Sequence, residues 1–141
     1  FASLETGGMT YLQQADQGFQ DEPAGTGGLL AALLHLRLIL SRGEAGFSVF
    51  SYFGSEPLVG RGEIVDVLAT AQGGADSRWF FPADGNPAGF DVWLGEDVDP
   101  CEVRFLEFGD FQSLRFPNQI LVRHSGDEYV TLRVERAAFG R

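Results

Sequence analysis

A run of twelve residues, Leu29 to Leu40, contains ten apolar side chains and constrains this chain more than any other segment. Its leucines are distributed around the full circle of a helix at about 100° per residue, so no side of that helix is suited to water. Gly43 lies where a C-terminal cap is expected, and Thr26 is a candidate N-cap. We therefore predict a helix over residues 29–42 that is covered by the rest of the fold.

The residues after the helix have a different pattern, in which short runs of alternating polar and apolar side chains are separated by turns. Strands are predicted at 47–53, 63–71, 78–81, 90–94, 102–108, 120–123 and 129–136, and one more before the helix at Met9 to Gln14. Connections this short pair consecutive strands antiparallel, so residues 47–139 are expected to form a meander. The apolar helix is the available partner for its buried face.

These elements predict an α+β fold in which a curved antiparallel β-meander, an incomplete barrel, is wrapped on one mainly apolar helix. A chain of 141 residues can bury one sizeable core, and this one contains neither an internal repeat nor a convincing linker. Residues 1–141 are therefore interpreted as a single domain. The apolar run is shorter than the roughly 20 residues that cross a bilayer, so a soluble protein is expected.

Charge narrows the possible partners. All ten basic residues are arginine, against twenty aspartate and glutamate residues, which gives a formal net charge of −10. The average field of such a chain repels polyanions, and no basic stripe offsets it locally, so nucleic acid is excluded as a partner. Neutral lipid and acyl chains are compatible with this charge.

No catalytic motif stands out in the sequence. Cys101 with His35 or His124 is a candidate thiol–imidazole pair, and a hydrolase of that kind would need a histidine within hydrogen-bond reach of the sulfur. However, Cys101 follows Pro100 at the entrance of a predicted strand, where nothing lowers the thiol pKa. We interpret it as a small structural cysteine, and we expect a protein that is not an enzyme and uses no cofactor.

Four acidic residues, Glu96, Asp97, Asp99 and Glu102, are a candidate calcium site because hard oxygen ligands at close spacing suit that ion. Their spacing lacks the glycine and the distant bidentate glutamate of an EF-hand loop. A solvated turn with acidic ends is favoured, and no metal site is predicted.

Four segments carry a resemblance to a known family. They are Arg78–Gly85, Gly89–Leu94, Cys101–Phe105 and Phe116–Ile120. Together they resemble the last strands of outer-membrane lipoprotein-sorting (LolA/LolB-like) half-barrel domains, and the resemblance covers residues 47–139. The chain is shorter than members of that family and has few strands before its helix, which is compatible with a fragment of a larger half-barrel.

The resemblance implies an incomplete barrel closed by helices around a cavity for acyl chains in the bacterial cell envelope. We therefore expect a non-enzymatic binding or carrier domain of the periplasm or cell envelope. Its partner would be a lipid, an acyl chain, a lipoprotein or another apolar ligand. Displacement of the helix from the sheet would open the site.

Apolar and aromatic side chains of the helix and the sheet are the predicted ligand contacts. They are Leu30, Leu34, Leu38, Phe50, Tyr52, Trp79, Phe81 and Trp93. The same residues are compatible with a filled core, in which case the chain would be a ligand-free interaction module of a larger secreted or envelope protein. A protein partner could then add a strand to an open sheet edge. A cavity between helix and sheet would favour the carrier, and a packed interface would favour the module.

Overall fold

The computed structural model describes residues 2–6, 9–13 and 21–137. The first two ranges form an antiparallel hairpin of strands β1 (Ala2–Thr6) and β2 (Met9–Gln13). Strand β2 is the strand expected before the helix, and the last residue predicted for it lies outside the described residues. Helix α1 (Leu29–Arg42) follows, and a short 3-10 helix at Gly43–Gly46 leads into the next strand. Helix α1 contacts both strands of the hairpin.

Seven further strands form one antiparallel sheet, in which neighbours in sequence are neighbours in space. They are β3 (Val49–Pro57), β4 (Ile64–Gln72), β5 (Ala75–Phe81), β6 (Gly89–Trp93), β7 (Cys101–Phe111), β8 (Leu114–His124) and β9 (Asp127–Arg133). The sheet is curved and open, with β3 and β9 at its two edges. This arrangement confirms the predicted α+β fold with a meander on an apolar helix. Residues 138 and 139 of the predicted meander lie outside the described part.

Several strands are longer than predicted. Strand β5 begins at Ala75, because Gly73 and Gly74 have φ values of 64° and 83° and connect it directly to β4. Strand β8 begins at Leu114, and its pairing with β7 continues through register shifts that follow Phe105. Those shifts interrupt the alternation of side chains, which hides the far half of this hairpin from a sequence pattern.

The main core lies between α1 and one side of the sheet, which we call the helix-facing side. Trp79 and Phe90 stack there with ring centroids 4.0 Å apart. The N-terminal half of α1 contributes Leu29, Ala31 and Ala32, each at most 1% exposed. The sheet also contributes Ala75, Val92, Cys101, Val103, Phe105, Ile120 and Val122.

The opposite side of the sheet, which we call the outer side, has a smaller apolar cluster and an ion pair. Val65, Val67 and Phe80 are buried there. The Arg104 guanidinium lies 5.2 Å from the centroid of the Phe80 ring and 2.7 Å from the Asp91 carboxylate. Burial raises the pKa of Asp91, and the attraction of Arg104 opposes that shift.

The loop before α1 is held by side-chain oxygens. The Asp21 carboxylate accepts hydrogen bonds from the backbone N–H groups of Thr26 and Gly27, at 3.2 and 2.9 Å. The Thr26 hydroxyl oxygen accepts hydrogen bonds from the N–H groups of Gly28 and Leu29, at 3.3 and 3.1 Å. The N-cap is Gly28, so the predicted N-cap position is wrong. Thr26 lies two residues before the N-cap, and its hydroxyl oxygen still accepts a hydrogen bond from an N–H group of the first turn.

Two glycines occupy positions at which the structure requires the absence of a side chain. Gly43 is the C-cap of α1 with a φ of 57°, as predicted, and its N–H donates to the carbonyl oxygen of Ile39. Gly89 begins β6 with a φ of 146°, and a Cβ atom there would overlap the carbonyl oxygen of Val103 on β7. Strands β6 and β7 therefore pair at this point because the side chain is absent.

Candidate functional site

A pocket of about 390 Å³ lies between the C-terminal half of α1 and the helix-facing side of the sheet. We call it the helix–sheet pocket. Its described lining residues are Leu36, Ile39, Leu40, Trp79, Phe81, Asn86, Pro87, Phe105, Phe108, Arg115, Phe116 and Pro117. Ten of these twelve residues are apolar, so the pocket is suited to a hydrocarbon group.

The two halves of α1 differ in how closely they pack against the sheet. In the N-terminal half, Ala31 and Ala32 are fully buried in the main core. A Cβ atom on Gly28 would lie 2.9 Å from the side chain of Leu94, so the helix begins in close contact with the chain after β6. In the C-terminal half, Leu36 is partly buried and lines the pocket. The space for a ligand therefore lies toward the end of the helix.

The pocket opens to solvent at that end. Leu40 is 44% exposed, and the side chain of Arg115 on β8 is 56% exposed. The Arg115 guanidinium lies 5.8 Å from the centroid of the Phe108 ring and 3.8 Å from the Asp110 carboxylate. A ligand with its apolar part against the aromatic rings would thus have a polar or anionic group beside Arg115.

Two of the eight predicted contact residues, Trp79 and Phe81, line this pocket. From the helix, the pocket is lined instead by Leu36, Ile39 and Leu40. These three positions have the spacing of one helix face, i, i+3 and i+4, but apolar residues on every face of the helix conceal which one meets the sheet.

The three predicted helix contacts lie on a different side of α1. Leu34 and Leu38 form a separate buried cluster, against which Phe47 packs. Leu30 is 1% exposed. Positions 30, 34 and 38 follow one another at intervals of one helical turn, so they form one stripe that is distinct from the stripe lining the pocket.

The other three predicted contacts lie on the sheet away from the pocket. The Phe50 ring centroid is 6.2 Å from that of Phe47. Tyr52 is 67% exposed, and its hydroxyl donates to the Asp66 carboxylate at 3.1 Å. Trp93 lines a groove on the outer side. The structure therefore does not bring the eight predicted residues together in one site.

A chain of hydrogen bonds crosses the core between α1 and strands β4 and β5. The Trp79 indole N–H donates to Thr70 Oγ1 at 3.0 Å, and this oxygen lies 3.0 Å from Ser77 Oγ. Ser77 Oγ hydrogen-bonds His35 Nδ1, and His35 Nε2 lies 3.2 Å from the carbonyl oxygen of Gln72. All donors point one way when His35 is neutral and protonated on Nε2. The chain attaches the middle of the helix to the sheet.

Burial lowers the pKa of His35 to about 4, and both the hydrogen bond to the Gln72 carbonyl and the charge of Asp76 oppose that shift. The histidine is therefore neutral at pH 7. His35 and Ser77 are each at most 1% exposed, so their hydrogen bond belongs to the interior of the fold.

Cys101 is also buried, and burial raises the pKa of its thiol to about 12. A thiolate is therefore scarcely populated at pH 7. His124 pairs with Cys101 across β7 and β8, but its Nδ1 hydrogen-bonds the carbonyl oxygen of Pro100 at 3.0 Å. Within residues 21–137, no hydrogen bond joins a histidine nitrogen to the sulfur of Cys101.

The acidic turn after β6 makes contacts with protein groups. Asp99 accepts a hydrogen bond from the Ser125 hydroxyl at 2.7 Å, and Glu102 lies 3.8 Å from Arg104. Among the described residues, no group of three or more His, Cys, Asp or Glu side chains is arranged to hold a metal ion.

Comparison of the chain with protein-family models, with curated proteins and with solved structures finds no match. No helix in the described part of the chain is both long and apolar enough to cross a membrane. The functional interpretation therefore depends on the geometry of the helix–sheet pocket.

Proposed function

We propose that this chain is a non-enzymatic binding or carrier domain for an acyl chain, working in the periplasm or cell envelope like the lipoprotein-sorting domains that it resembles. The observation that carries the proposal is the helix–sheet pocket. Its volume of about 390 Å³ lies within the range of roughly 300–1,000 Å³ that is typical of small-molecule sites.

The composition of the pocket wall supports this ligand class. Hydrocarbon gains free energy by leaving water for such a wall, at about 0.8 kcal/mol for each buried CH₂ group. Among the described lining residues, Arg115 carries the charge and Asn86 is the other polar side chain. A single acyl chain with an anionic head group satisfies both features, since its carboxylate or phosphate would lie at the open end beside Arg115.

The structure of α1 limits how the pocket can widen. Leu29 and Ala32 fix the first half of the helix in the core, and His35 attaches its middle to β5 through Ser77. Displacement that opens the site would therefore be confined to the last turns, from Leu36 to the C-cap. This is a smaller movement than the release of the entire helix from the sheet.

Uptake of cis-parinaric acid, a fluorescent fatty acid, tests the proposal. We expect the wild type to bind it and Leu40→Trp to bind it about tenfold more weakly, because an indole at the mouth would take the place of roughly two methylene groups. Val59→Trp is the matched control, since Val59 is 89% exposed on the turn between β3 and β4 and is not among the residues that line the pocket.

Absence of binding by the wild type, or equal binding by the Leu40→Trp variant, would contradict the proposal. Native mass spectrometry of the protein purified from cells adds an independent measurement. We expect a co-purified lipid on the wild type, at a lower occupancy on Leu40→Trp than on Val59→Trp.

A second candidate function, an interaction module, is favoured by the β3 edge of the sheet. Val49, Tyr52 and Phe53 are 48%, 67% and 54% exposed on this strand. Glu56 is the one charged residue of β3, whereas β9 at the other edge contains two carboxylates and an arginine. Charged residues discourage strand addition, so β3 is the edge that a partner strand would join.

Sedimentation of the purified protein tests this second candidate, because a second copy of the chain is the simplest donor of a strand. We expect association at high protein concentration that is lost in Tyr52→Lys, since a lysine on an edge strand opposes pairing. A monomer at every concentration, or equal association of the variant, would count against the module.

A further inference from the structure

A second large groove lies on the outer side of the sheet, opposite the helix–sheet pocket. It has a volume of about 660 Å³ and extends across β3, β4, β5 and the chain after β6. Small residues form part of its floor, including Ala69 and Ala71 of β4. Phe53 and Trp93 line it as well. We call it the outer groove.

Arg78 is the cation of the outer groove. Its guanidinium carbon lies 4.2 Å from the centroid of the Phe53 ring and 5.4 Å from that of the Trp93 ring. These contacts hold the guanidinium in place through the faces of two aromatic rings. A guanidinium that is stacked in this way keeps the N–H groups along its edge available for a ligand.

The Arg78 guanidinium forms no ion pair within the described residues, since no carboxylate oxygen lies within 4.0 Å of it, and Asp91, directly opposite it on β6, pairs with Arg104 instead. Arg104 on the same side of the sheet provides the contrast, because Asp91 neutralises it at 2.7 Å. The chain has twice as many acidic as basic residues, twenty against ten. An arginine that is fixed by aromatic rings and lacks a carboxylate partner is therefore prepared to receive an anion from outside.

Two carboxylates restrict which anion the groove accepts. Asp76 and Glu96 also line it, so the charged residues of its described lining, one arginine and two carboxylates, sum to −1. A ligand with two or more negative charges would be repelled by them, whereas one carboxylate can pair with Arg78. The alanines of the floor leave room for a flat group beside the guanidinium.

We propose that the outer groove binds a planar monocarboxylate, an organic acid whose carboxylate pairs with the Arg78 guanidinium and whose ring rests on the alanine floor beside that stacked guanidinium. This site is separate from the helix–sheet pocket and does not depend on the function proposed for it. The two sites lie on opposite sides of the sheet and differ in their chemistry, one being apolar and the other containing a cation.

Titration with benzoate, followed by ¹H–¹⁵N NMR, tests the proposal. We expect benzoate at about 10 mM, a concentration suited to a weak small ligand, to shift the Trp93 indole and Arg78 Nε signals. The Trp79 indole and the Arg104 Nε signals are internal controls, since Trp79 faces the helix and Arg104 is already paired. Benzamide, the neutral analogue, and phenyl phosphate, a dianion, are expected to bind much more weakly.

The Arg78→Gln variant is expected to lose roughly tenfold to hundredfold in benzoate affinity, the equivalent of one charge-assisted hydrogen-bonded contact. Arg133→Gln on β9 removes the same charge from an exposed strand and is expected to bind benzoate as the wild type does. The melting temperatures of both variants establish that they are folded.

Three results would overturn the proposal. They are the absence of benzoate-dependent shifts at Trp93, equal binding of benzamide, and unchanged affinity of a folded Arg78→Gln variant. Equal binding of phenyl phosphate would overturn the selectivity that we assign to Asp76 and Glu96.

Discussion

The two sides of the seven-stranded sheet are built from the same strands, yet they stabilise the protein by different means. On the helix-facing side, aromatic and aliphatic side chains pack against α1, and the polar groups of His35, Ser77 and Thr70 are joined to one another. On the outer side, Arg78 and Arg104 lie over aromatic rings, and the Arg104 guanidinium is paired with Asp91. The helix-facing side therefore determines the position of α1, whereas the outer side carries charged side chains.

The two tryptophans offer the largest test of this comparison. Trp79 is 2% exposed on the helix-facing side, and Trp93 is partly exposed on the outer side. We expect Trp79→Ala to lower the free energy of unfolding by about 4 kcal/mol, because it leaves a cavity and removes the hydrogen bond that Thr70 Oγ1 accepts from the indole. Trp93→Ala should cost about 1 kcal/mol. Urea unfolding measures both, and equal losses would contradict the distinction between the two sides.

The two arginines of the outer side give the next largest effect. We expect Arg104→Met to lower the free energy of unfolding by about 3 kcal/mol, since it leaves the Asp91 carboxylate, only 13% exposed, without its partner. Arg78→Met should cost about 1 kcal/mol, the value of its contacts with aromatic rings. Urea unfolding of the two variants at pH 7 measures the difference.

Loss of Arg104 also has a consequence for pH dependence. Without the guanidinium, the pKa of Asp91 should rise further above its usual range, because burial and the negative charges of Glu102 and Glu56 then act on it without opposition. The folded state of the variant then binds a proton more readily than the unfolded state. The difference in free energy of unfolding between the wild type and Arg104→Met is therefore expected to become smaller as the pH falls from 7 toward 5. A difference that becomes larger would contradict this account.

His35 gives the smallest of the three effects. Its pKa is lowered to about 4 in the folded protein. As the pH falls below about 6.5, the imidazole of the unfolded protein becomes protonated while that of the folded protein stays neutral. The contribution of His35 to the free energy of unfolding is therefore complete above that pH and is lost as the pH falls below it. Between pH 7 and pH 5 this loss should amount to about 2 kcal/mol.

The His35→Gln variant isolates that contribution. We expect its free energy of unfolding to fall less than that of the wild type between pH 7 and pH 5, by about 2 kcal/mol. Chemical denaturation at the two pH values is the measurement. Parallel pH profiles for the wild type and the variant would show that the buried ring does not titrate as the hydrogen-bond chain requires.

The sequence predicts the architecture better than the site, for a physical reason. The strands show in the alternation of side chains, and the helix shows in its leucine run, because both are local patterns. Which face of α1 meets the sheet is not local. The helix is apolar all round, so Leu34 and Leu36 look equally suited to a pocket in the sequence, and the close approach of Ala32 to the sheet decides between them.

The partners of Arg78 and Arg104 were equally hidden from the sequence. Both arginines lie inside a strand and are followed by an aromatic residue, Trp79 after Arg78 and Phe105 after Arg104, so the sequence does not distinguish their roles. Asp91 lies directly opposite Arg78 in the register of β5 and β6, whereas Arg104 lies opposite Gly89, two residues away on β6. The carboxylate nevertheless pairs with Arg104, so the side-chain conformations, and not the strand register, determine which arginine it neutralises. Phe53 contacts Arg78 from β3, which is two strands away in the sheet. It lies at a register shift of β3 that no local sequence pattern predicts.

The close approach of β6 and β7 at Gly89 has a consequence for descent. No other residue fits that position without separating the two strands in the middle of the sheet. Substitutions at Gly89 are therefore expected to be selected against, while substitutions in the neighbouring loop are expected to be tolerated. A distant descendant of the same ancestor would then share little with this chain by identity. It would nevertheless retain a glycine at the first residue of its fourth meander strand, and that single invariant would be a mark of common origin.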